Sequence, residues 1–451
     1  MPEAVFERAL LPEGWREKVR IAWEAGRIAA VEPDFGGPAE TRIAGTLVPG
    51  TGNLHSHAFQ RGFAGLTERR GQASDHFWTW REAMYRFAGA MNPQRLKAIA
   101  ALAQVEMLES GFTAVAEFHY VHHQPDGRPY DDPAAMAVAV AEAAAETGIG
   151  LTLLPVFYAH GGFSDRPAGE GQKRFLCDPD LFARIVEGAK AATGALASGR
   201  TGIAPHSLRA ANVAELRLLT AAHGDGPVHI HIAEQTAEVA DCEAATGRRP
   251  VDYLFDSLDV DSRWCLIHAT HVTAGEVARM AASGAVVGLC PVTEADLGDG
   301  LFPAVDYTTL GGRWGVGSDS NVLISLPQEL RLLEQGQRLR DRARNRLAKP
   351  PLSTGRTLFE AAAAGGAQAL GLPLGVLATG ASADFVVLDD DHPALVGRSG
   401  DGLLDAWIFA AAGNPVRDVF VAGRQVVKDG VHVARAAAEA AFAAVARELA
   451  A

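Results

Sequence analysis

Short apolar runs alternate along most of the chain with segments whose apolar residues recur at helical spacing. The runs occupy residues 47–57, 112–120, 150–158, 201–206, 227–234, 263–268, 285–290 and 314–319. Nearly continuous apolar strands are typical of a parallel sheet covered by helices. About eight β-then-α units are the number found in a (β/α)8 barrel, and a doubly wound open sheet is the structural alternative. No Gly-x-Gly-x-x-Gly follows a predicted strand, so the dinucleotide-binding form of that alternative is unsupported.

Capping and turn residues predict where individual elements begin and end. Asn92-Pro93 begins a helix that runs to Ser110-Gly111, because Asn caps helices and Pro suits their first position. A further helix is predicted over Asp132 to Thr147. Phe77-Trp-Thr-Trp-Arg81 is interpreted as an aromatic loop after the first barrel strand.

Both ends of the chain return to short β-runs. They lie at residues 18–31 near the start and at residues 383–388, 405–409 and 416–427 near the end. Gly423-Arg424 within the last run predicts a hairpin turn. These segments are too small to fold separately, so we expect them to pair into one β unit.

The predicted fold class is α/β, a (β/α)8 TIM-type barrel with a small β-sandwich domain built from the N- and C-terminal segments. Residues 1–48 and 374–432 are assigned to the β-sandwich, and residues 49–373 to the barrel. Residues 433–451 are predicted as a C-terminal helix from their Ala-rich composition.

Composition and charge narrow the class of protein. The 451 residues are 48% hydrophobic, which is ample for one large domain or two ordinary ones. The formal net charge of −13 argues against nucleic acid or an anionic membrane as a partner. The four cysteines are scattered without a Cys-x-x-Cys, so no disulfide framework or thiolate zinc site is indicated. With no signal peptide or apolar run of membrane length, a cytoplasmic location is predicted.

Titratable residues cluster where the predicted strands end. They are His55, His57, Glu117, His119, Tyr120, His206, His231, Glu234, His268 and Asp319. Barrel enzymes have their active sites at the C-terminal ends of the strands. Because side chains alternate along a strand, His55 and His57 project to the same side. Histidines placed elsewhere, His76, His223, His392 and His432, are predicted to lie outside the site.

Three imidazoles and a carboxylate of this set form a candidate metal site. Together His55, His57, His231 and Asp319 would bind one divalent ion of the zinc type and leave a position for water. His229 shares a strand face with His231 but lies further from the strand end, so it is expected to support the site from outside. The same ligands suit iron or manganese, so the identity of the metal stays open.

Two further residues could perform acid–base chemistry. Glu234 follows His231 by three residues and could move a proton without binding the ion, while His268 could assist the attacking water. Taken alone, Glu234 could simply begin a helix and His268 could be a hydrogen-bonded core imidazole. The complete set favours metal-dependent deamination.

Two arginines predict the kind of substrate. Arg81 follows the first barrel strand and Arg209 follows the fourth. Each alone could be a surface arginine, but two guanidiniums over one barrel end suit a dicarboxylate, because the planar fork pairs with carboxylates. Gln60 and Tyr120 could add neutral hydrogen bonds.

Longer motifs resemble one family closely. They are Pro49-Gly-Thr-Gly-Asn-Leu-His-Ser-His-Ala-Phe-Gln-Arg61, Phe77-Trp-Thr-Trp-Arg-Glu-Ala-Met-Tyr85, Ala204-Pro-His-Ser-Leu-Arg209 and Gly288-Leu-Cys-Pro-Val-Thr-Glu-Ala-Asp-Leu-Gly-Asp-Gly300. With the strand-end His231, Glu234, His268 and Asp319, the chain resembles the amidohydrolase superfamily in its mononuclear deaminase branch. More narrowly, it is similar to the formimidoylglutamate deiminases over essentially its whole length. Thr293-Glu294-Ala295 stands where the general deaminase branch has Pro-x-Ser-Asn.

The resemblance implies a (β/α)8 barrel with a β-sandwich, one Zn2+ ion and a homodimer. It implies hydrolysis of N-formimino-L-glutamate to N-formyl-L-glutamate and ammonia in histidine degradation. The residues that it implies are the ligands His55, His57, His231 and Asp319, the catalytic residues Glu234, His268 and Asp319, and the substrate contacts Gln60, Arg81, Tyr120, His206 and Arg209.

Two alternatives remain from different classes. A related deaminase could act on another amidine or on a heterocycle such as a purine or pterin, but two arginines argue against a neutral ring. A non-catalytic barrel could act as a binding scaffold, but such a protein would lack some ligands, and here the set is complete.

Overall fold

The computed structural model describes residues 1–68 and 77–450. Its strands are β1 (Glu3–Leu11), β2 (Gly14–Glu24), β3 (Arg27–Glu32), β4 (Arg42–Pro49), β5 (Thr51–Ser56), β6 (Phe112–His119), β7 (Gly150–Phe157), β8 (Gly199–Thr201), β9 (Ala204–Pro205), β10 (Val228–Ile232), β11 (Trp264–His268), β12 (Val286–Leu289), β13 (Arg313–Val316), β14 (Phe385–Leu388), β15 (Val416–Val421), β16 (Arg424–Lys428) and β17 (Val431–His432).

Helices connect most of these strands. They are α1 (Phe77–Gly89), α2 (Pro93–Glu109), α3 (Ala135–Thr147), α4 (Pro179–Gly194), α5 (Val213–Ala222), α6 (Thr236–Thr246), α7 (Pro250–Ser257), α8 (Ala274–Ser283), α9 (Pro291–Leu297), α10 (Ala304–Thr309), α11 (Leu326–Asp341), α12 (Thr354–Leu370), α13 (Asp401–Phe409) and α14 (Arg435–Ala450). Short 3-10 turns cover Ala58–Phe63 and Glu170–Gln172.

Parallel strands β5 to β13 close into a barrel. Strands β5, β6, β7 and β8 are neighbours in one stretch, with β9 also on β7, and β10 to β13 form the other stretch. Bridges between Ser56 and Asp319 and between Ile203 and Val228 join the two stretches. The fourth strand is divided into β8 and β9, so the barrel has eight positions. The predicted fold class is confirmed.

The sequence pattern explains the barrel elements locally. Every residue of β6 and of β7 is buried, as expected for parallel strands covered on both faces. The prediction for α2 is confirmed: the Asn92 side chain accepts a hydrogen bond from the Arg95 amide, and Pro93 takes the first position. Gly148 ends α3 in the left-handed conformation, with φ of 79°.

The two ends of the chain form one eight-stranded sheet in the order β17-β16-β15-β14-β4-β1-β2-β3. β4 pairs in parallel with β1 and antiparallel with β14, which places Leu47 opposite Val387. Aromatic contacts fill its core, with the Phe385 and Phe420 rings 4.7 Å apart and Trp23 5.6 Å from Phe385. The N- and C-terminal segments therefore stabilise each other directly.

Two local predictions are wrong. Residues 77–81 are the first residues of helix α1 rather than a loop, and residues 405–409 belong to α13 rather than to a strand. In α13 the buried residues Leu403, Leu404, Trp407 and Ile408 follow helical spacing. A short apolar run fits a strand or a buried helix, and only the surrounding packing decides between them.

Within the described residues, none of the helices is both long enough and apolar enough to cross a membrane.

Candidate active site

An open cavity of about 570 Å³ lies at the C-terminal ends of the barrel strands. Residues from most of the chain line it: His57, Gln60, Phe77, Trp80, Arg81, Met84, Tyr85, Tyr120, Tyr158, Phe175, His206, Arg209, His231, Glu234, His268, Leu297 and Asp319. One end of the cavity is rich in imidazoles and carboxylates, and the other end is rich in aromatic rings with two guanidiniums.

The imidazole-rich end brings together residues that are far apart in the sequence. Asp319 Oδ1 lies 3.4 Å from His55 Nε2 and 3.3 Å from His57 Nε2. His231 Nε2 lies 3.0 Å from His55 Nε2. Potential ligand atoms within 4.8 Å of one another form two groups that share His55, one with His57 and Asp319 and the other with His231 and His268.

Backbone carbonyls fix the orientation of two of these imidazoles. His57 Nδ1 donates to the Phe118 carbonyl at 2.9 Å, and His231 Nδ1 donates to the His206 carbonyl at 3.2 Å. In a neutral imidazole the proton on Nδ1 leaves a lone pair on Nε2. Both lone pairs therefore point toward the space beside Asp319, as in metal-binding histidines whose other nitrogen is hydrogen-bonded.

The first and last barrel strands are locked together under this cluster. The Asn53 side-chain amide donates to Ser318 Oγ at 2.6 Å, and the Ser318 amide donates to Asn53 Oδ1 at 3.0 Å. Asn321 donates to Ser56 Oγ and to the His57 carbonyl, each at 3.1 Å. These buried bonds hold the His55–His57 segment in register with Asp319, because buried polar groups are costly when unpaired.

Backbone at the ends of three barrel strands adopts left-handed φ values. They are 51° at Ala233, 69° at His268 and 45° at Asp319. Such values cost energy for residues other than glycine and are concentrated at functional sites. Here they turn the chain sharply at the point where Glu234, His268 and Asp319 face the cavity.

Glu234 and His268 form an acid–base pair beside Asp319. His268 Nε2 lies 3.8 Å from Glu234 Oε1 and 3.7 Å from Asp319 Oδ2, and its Nδ1 lies 3.2 Å from Glu294 Oε1. Burial lowers the pKa of His268, but these three carboxylates outweigh it and raise the pKa to about 10. Burial raises the pKa of Glu234, with His268 and Arg209 opposing.

The imidazoles and the carboxylate of the cluster have pKa values that suit metal ligation. Burial lowers the pKa of His55 to about 3, so its ring is neutral. Burial opposes ionisation of Asp319, but the hydrogen bond from His55 and the nearby imidazoles hold the pKa of Asp319 below its usual range. Neutral imidazoles and an ionised carboxylate are the forms that bind divalent ions.

The arrangement of the donor atoms fits a divalent ion. His55 Nε2 lies 3.0 Å from His231 Nε2 and 3.4 Å from Asp319 Oδ1, so two imidazole nitrogens and a carboxylate oxygen converge on one space. A cation between the converging nitrogens and the Asp319 carboxylate would satisfy this arrangement, and nitrogen ligands with one carboxylate suit zinc-type ions. The residues fit the ion.

Two arginines face the aromatic end of the cavity. The Arg81 guanidinium carbon lies 4.3 Å from the Trp78 ring centre and 5.4 Å from the Tyr85 ring centre. Arg209 Nη2 lies 4.0 Å from Glu234 and 3.9 Å from Glu238. The two predicted substrate-binding arginines therefore share one cavity with Glu234.

The other predicted substrate contacts line the same cavity. Gln60 Nε2 donates to the Tyr120 hydroxyl at 2.9 Å, which leaves Gln60 Oε1 buried and without a partner among the described residues. His206 Nδ1 lies 3.1 Å from Ser207 Oγ, and its ring meets the Tyr158 ring edge to face with the ring centres 4.7 Å apart. These groups add hydrogen-bonding atoms to the cavity that Glu234 also lines.

Several predicted residues lie outside the cavity. His229 Nε2 contacts the Ala369 carbonyl at 2.8 Å, so this imidazole binds the end of α12 rather than the site. Glu117 accepts a hydrogen bond from the Ala58 amide at 2.6 Å and supports the chain after His57. Of the histidines predicted to have no role, His432 contacts the Thr147 carbonyl, and His76 lies outside the described residues.

The sequence analysis missed Glu294 and Glu238 as members of the site. Both lie in the first turns of short helices, where an acidic residue is common and gives no distinct signal. Glu238 accepts hydrogen bonds from the Ala233 and Glu234 amides, each at 3.2 Å, and so supports the strained turn.

Comparisons with known proteins agree with this architecture. Residues 46–426 match the model of the amidohydrolase family, and residues 4–42 match the N-terminal domain of formimidoylglutamate deiminase HutF. A formimidoylglutamate deiminase from Pseudomonas aeruginosa is 52% identical, over 99% of each chain. An amidohydrolase from Brucella melitensis has a crystal structure with a TM-score of 0.96 at 51% identity, covering 100% of both chains.

A more distant structure shows the fold alone. It is an adenosine deaminase from Xanthomonas campestris with bound zinc, which matches with a TM-score of 0.81 at 23% identity, over 99% of this chain and 97% of the other. The chain belongs to the amidohydrolase family. The full-length relative places it in the formimidoylglutamate deiminase branch of that family.

Proposed function

We propose that this protein hydrolyses N-formimino-L-glutamate to N-formyl-L-glutamate and ammonia, a step of histidine degradation. The observation that best supports the proposal is the presence of Arg81 and Arg209 in the same cavity as Glu234 and the imidazole cluster. The substrate has two carboxylates and one amidine carbon, so it needs both ends of such a cavity. The family branch supports the same reaction.

We propose that one divalent ion is held by His55, His57, His231 and Asp319. The ion proposed is Zn2+ in preference to iron or manganese. Three neutral imidazoles and one carboxylate are a donor set of the zinc type. Bound there, the ion would supply Lewis-acid chemistry that lowers the pKa of water. Iron and manganese tolerate similar ligands, so metal analysis is part of the test below.

Glu234 is proposed to move protons between water and the leaving nitrogen. Its carboxylate takes a proton from water as the water oxygen adds to the formimino carbon, and the resulting carboxylic acid passes that proton to the imino nitrogen. Addition of water leaves a hydroxyl group on the formimino carbon. The proton of this hydroxyl then reaches the same nitrogen through Asp319, as the carbon–nitrogen bond breaks and ammonia leaves. His268 lies within 4 Å of both carboxylates, and we assign it to stabilise charge on the added oxygen.

Arg81 and Arg209 are proposed to bind the two carboxylates of the substrate. Gln60, Tyr120 and His206 would add neutral hydrogen bonds from the same wall. Remote binding of this kind orients a small reacting group, so the energy of carboxylate recognition assists the chemistry.

The proposal includes features that lie beyond the site. We propose a cytoplasmic homodimer whose substrate is a small dicarboxylate, with neither nucleic acid nor membrane as a partner. We also propose that residues 49–373 form the metal-dependent barrel, that residues 1–48 and 374–432 form the β-sandwich domain, and that residues 433–451 form the C-terminal helix.

The decisive experiment is an ammonia-release assay with N-formimino-L-glutamate, run beside metal analysis of the purified protein. We expect ammonia and N-formyl-L-glutamate in equal amounts from protein that contains about one zinc per chain. Adenosine and other amino-substituted rings serve as the second arm of the assay. If the protein released ammonia from one of these rings but not from N-formimino-L-glutamate, the heterocycle alternative would replace this proposal.

A further inference from the structure

Two like charges face one cavity from different elements of the fold. Arg81 lies on α1, and Arg209 lies in the segment that follows β9. Both guanidiniums remain charged at any ordinary pH, and like charges at short range repel. A site that uses both for one ligand therefore needs a structural element that holds them at a fixed separation.

Trp78 contacts both guanidiniums. Its ring centre lies 4.3 Å from the guanidinium carbon of Arg81 and 5.9 Å from that of Arg209. The face of an indole attracts cations within about 6 Å of the ring centre, and it does so more strongly than the other aromatic rings. Trp78 thus links helix α1 to the segment after β9 through two cation–π contacts.

Helical spacing explains the contact with Arg81. Trp78, Arg81 and Tyr85 are separated by three and four residues, so they lie on one face of α1. The Arg81 guanidinium is also 5.4 Å from the Tyr85 ring, so it lies between two aromatic rings. These two ring contacts limit the orientations of the Arg81 guanidinium.

Arg209 is contacted by two carboxylates as well as by Trp78. Its Nη2 lies 4.0 Å from Glu234 and 3.9 Å from Glu238, and only 12% of its side chain is exposed. The two carboxylates attract Arg209 toward the imidazole-rich end of the cavity, while the Trp78 ring attracts it toward Arg81.

We propose that Trp78 is a positioning residue that fixes the separation of Arg81 and Arg209 and so selects the chain length of the dicarboxylate. The proposal rests on the proposed function, because it assumes that both arginines bind one ligand. It predicts that loss of the ring weakens binding and removes the preference for a five-carbon over a four-carbon dicarboxylate.

The test compares three variants of the full-length, metal-loaded protein. Trp78→Leu removes the π face but keeps an apolar side chain, and Trp78→Phe keeps a smaller ring. Phe87→Leu is the matched control, because Phe87 lies on the same helix and packs 5.2 Å from Phe63 without lining the cavity. Calorimetry measures the Kd of glutarate and of succinate, and ammonia release measures kcat and KM for N-formimino-L-glutamate and N-formimino-L-aspartate.

We expect Trp78→Leu to weaken glutarate binding about tenfold, the size expected for lost cation–π contacts. The ratio of the two Kd values and the ratio of the two kcat/KM values should both fall toward one. The kcat for the glutamate substrate should stay within about threefold, because the catalytic groups are untouched. Trp78→Phe should recover part of the loss, and Phe87→Leu should behave like the wild type.

Two results would overturn the inference. One is a Trp78→Leu variant that keeps both the glutarate affinity and the chain-length preference, and the other is a Phe87→Leu variant that loses them equally. Should Trp78→Leu fail to fold, Trp78→Phe decides: its smaller ring should still weaken glutarate binding and lower both ratios in part, and wild-type values in this variant would overturn the inference. If the wild-type protein binds glutarate but does not turn over N-formimino-L-glutamate, the proposed function is refuted and the binding test of Trp78 still applies. If the wild-type protein binds no dicarboxylate, both the proposed function and this inference are refuted.

Discussion

Glu234 lies between an imidazole and a guanidinium, with His268 at 3.8 Å and Arg209 at 4.0 Å. Burial favours the neutral carboxyl and raises its pKa, while the two neighbouring cations favour the carboxylate. A group under such opposing influences can both accept and release a proton. This balance is what a proton shuttle between water and a leaving amine requires.

Replacing Glu234 by Gln should remove turnover but keep binding. Glutamine has nearly the same shape, so the zinc content and the Kd of N-formyl-L-glutamate should remain close to those of the wild type. Without the carboxylate, kcat for ammonia release should fall by about 10²- to 10⁴-fold. Glu187→Gln, whose side chain is 70% exposed on α4, is the control and should keep full activity. A near-normal kcat in Glu234→Gln would exclude Glu234 from the chemistry.

Replacing either arginine should affect substrate recognition most. Arg81→Met and Arg209→Met keep an unbranched apolar side chain but lose a charge-assisted hydrogen-bonding group. We expect kcat/KM for N-formimino-L-glutamate to fall by about 10- to 100-fold in each, since hydrogen bonds to charged groups contribute about 1.5–3 kcal/mol. Arg184→Met, an exposed position on α4, is the control. An unchanged kcat/KM in both variants would contradict a dicarboxylate pocket.

Strand ends and helix caps were predictable from the sequence because their signals are local. Alternation placed His55 and His57 on one side of a strand, and Asn92-Pro93 marked the start of α2. Helix α1 was missed because its aromatic residues pack against the Ala58–Phe63 turn and the cavity wall, which are tertiary contacts. The participation of Glu238 and Glu294 depends on how separate strands approach one another, which a linear pattern does not encode.

One buried arginine helps to attach helix α1 to the barrel. Arg174 Nη1 donates to the carbonyl of Ala88 in the last turn of α1, and its Nε donates to the His123 carbonyl at 2.7 Å. The His122 and His123 amides donate in turn to the Arg174 carbonyl, at 3.0 and 3.1 Å. Arg174 therefore joins α1 to the loops after β6 and β7, and a cation near a helix C-terminus is favourable.

Arg174→Met should loosen α1 and thereby weaken substrate binding. The substitution removes the buried hydrogen bonds to the Ala88 and His123 carbonyls, although the Ala88 carbonyl keeps its bond from the Met91 amide, and should lower the free energy of unfolding by about 2–4 kcal/mol. Because α1 includes Arg81, we also expect KM to rise by about tenfold. Urea unfolding and ammonia-release kinetics measure the two effects, and Arg184→Met again provides the control. A variant with reduced stability but an unchanged KM would show that Arg174 does not position α1.

The terminal sheet and the barrel meet at β5, the strand at whose end His55 and His57, two of the proposed metal ligands, lie. β4 pairs with β14 and continues into β5 after the single residue Gly50, whose amide donates to the Asp384 carbonyl at 3.0 Å. A Cβ at Gly50 would lie 2.3 Å from Thr113 Oγ1, so only glycine fits there. The sheet built from both chain ends thus fixes the start of β5. The bonds between Asn53 and Ser318 fix its other side.

Removal of the proposed metal should destabilise the whole protein, because the proposed ligands at the ends of β5, β10 and β13 would lose their common partner. A ligand that binds only the folded state adds about 4 kcal/mol to the free energy of unfolding at a concentration 1,000 times its Kd. Dialysis against dipicolinate should therefore lower the Tm by several degrees and abolish ammonia release, and one equivalent of Zn2+ should restore both. His57→Ala provides the control, because its Tm should change little on chelation. If the wild-type Tm responded to neither dipicolinate nor zinc, the four residues would be a hydrogen-bonded cluster rather than a metal site.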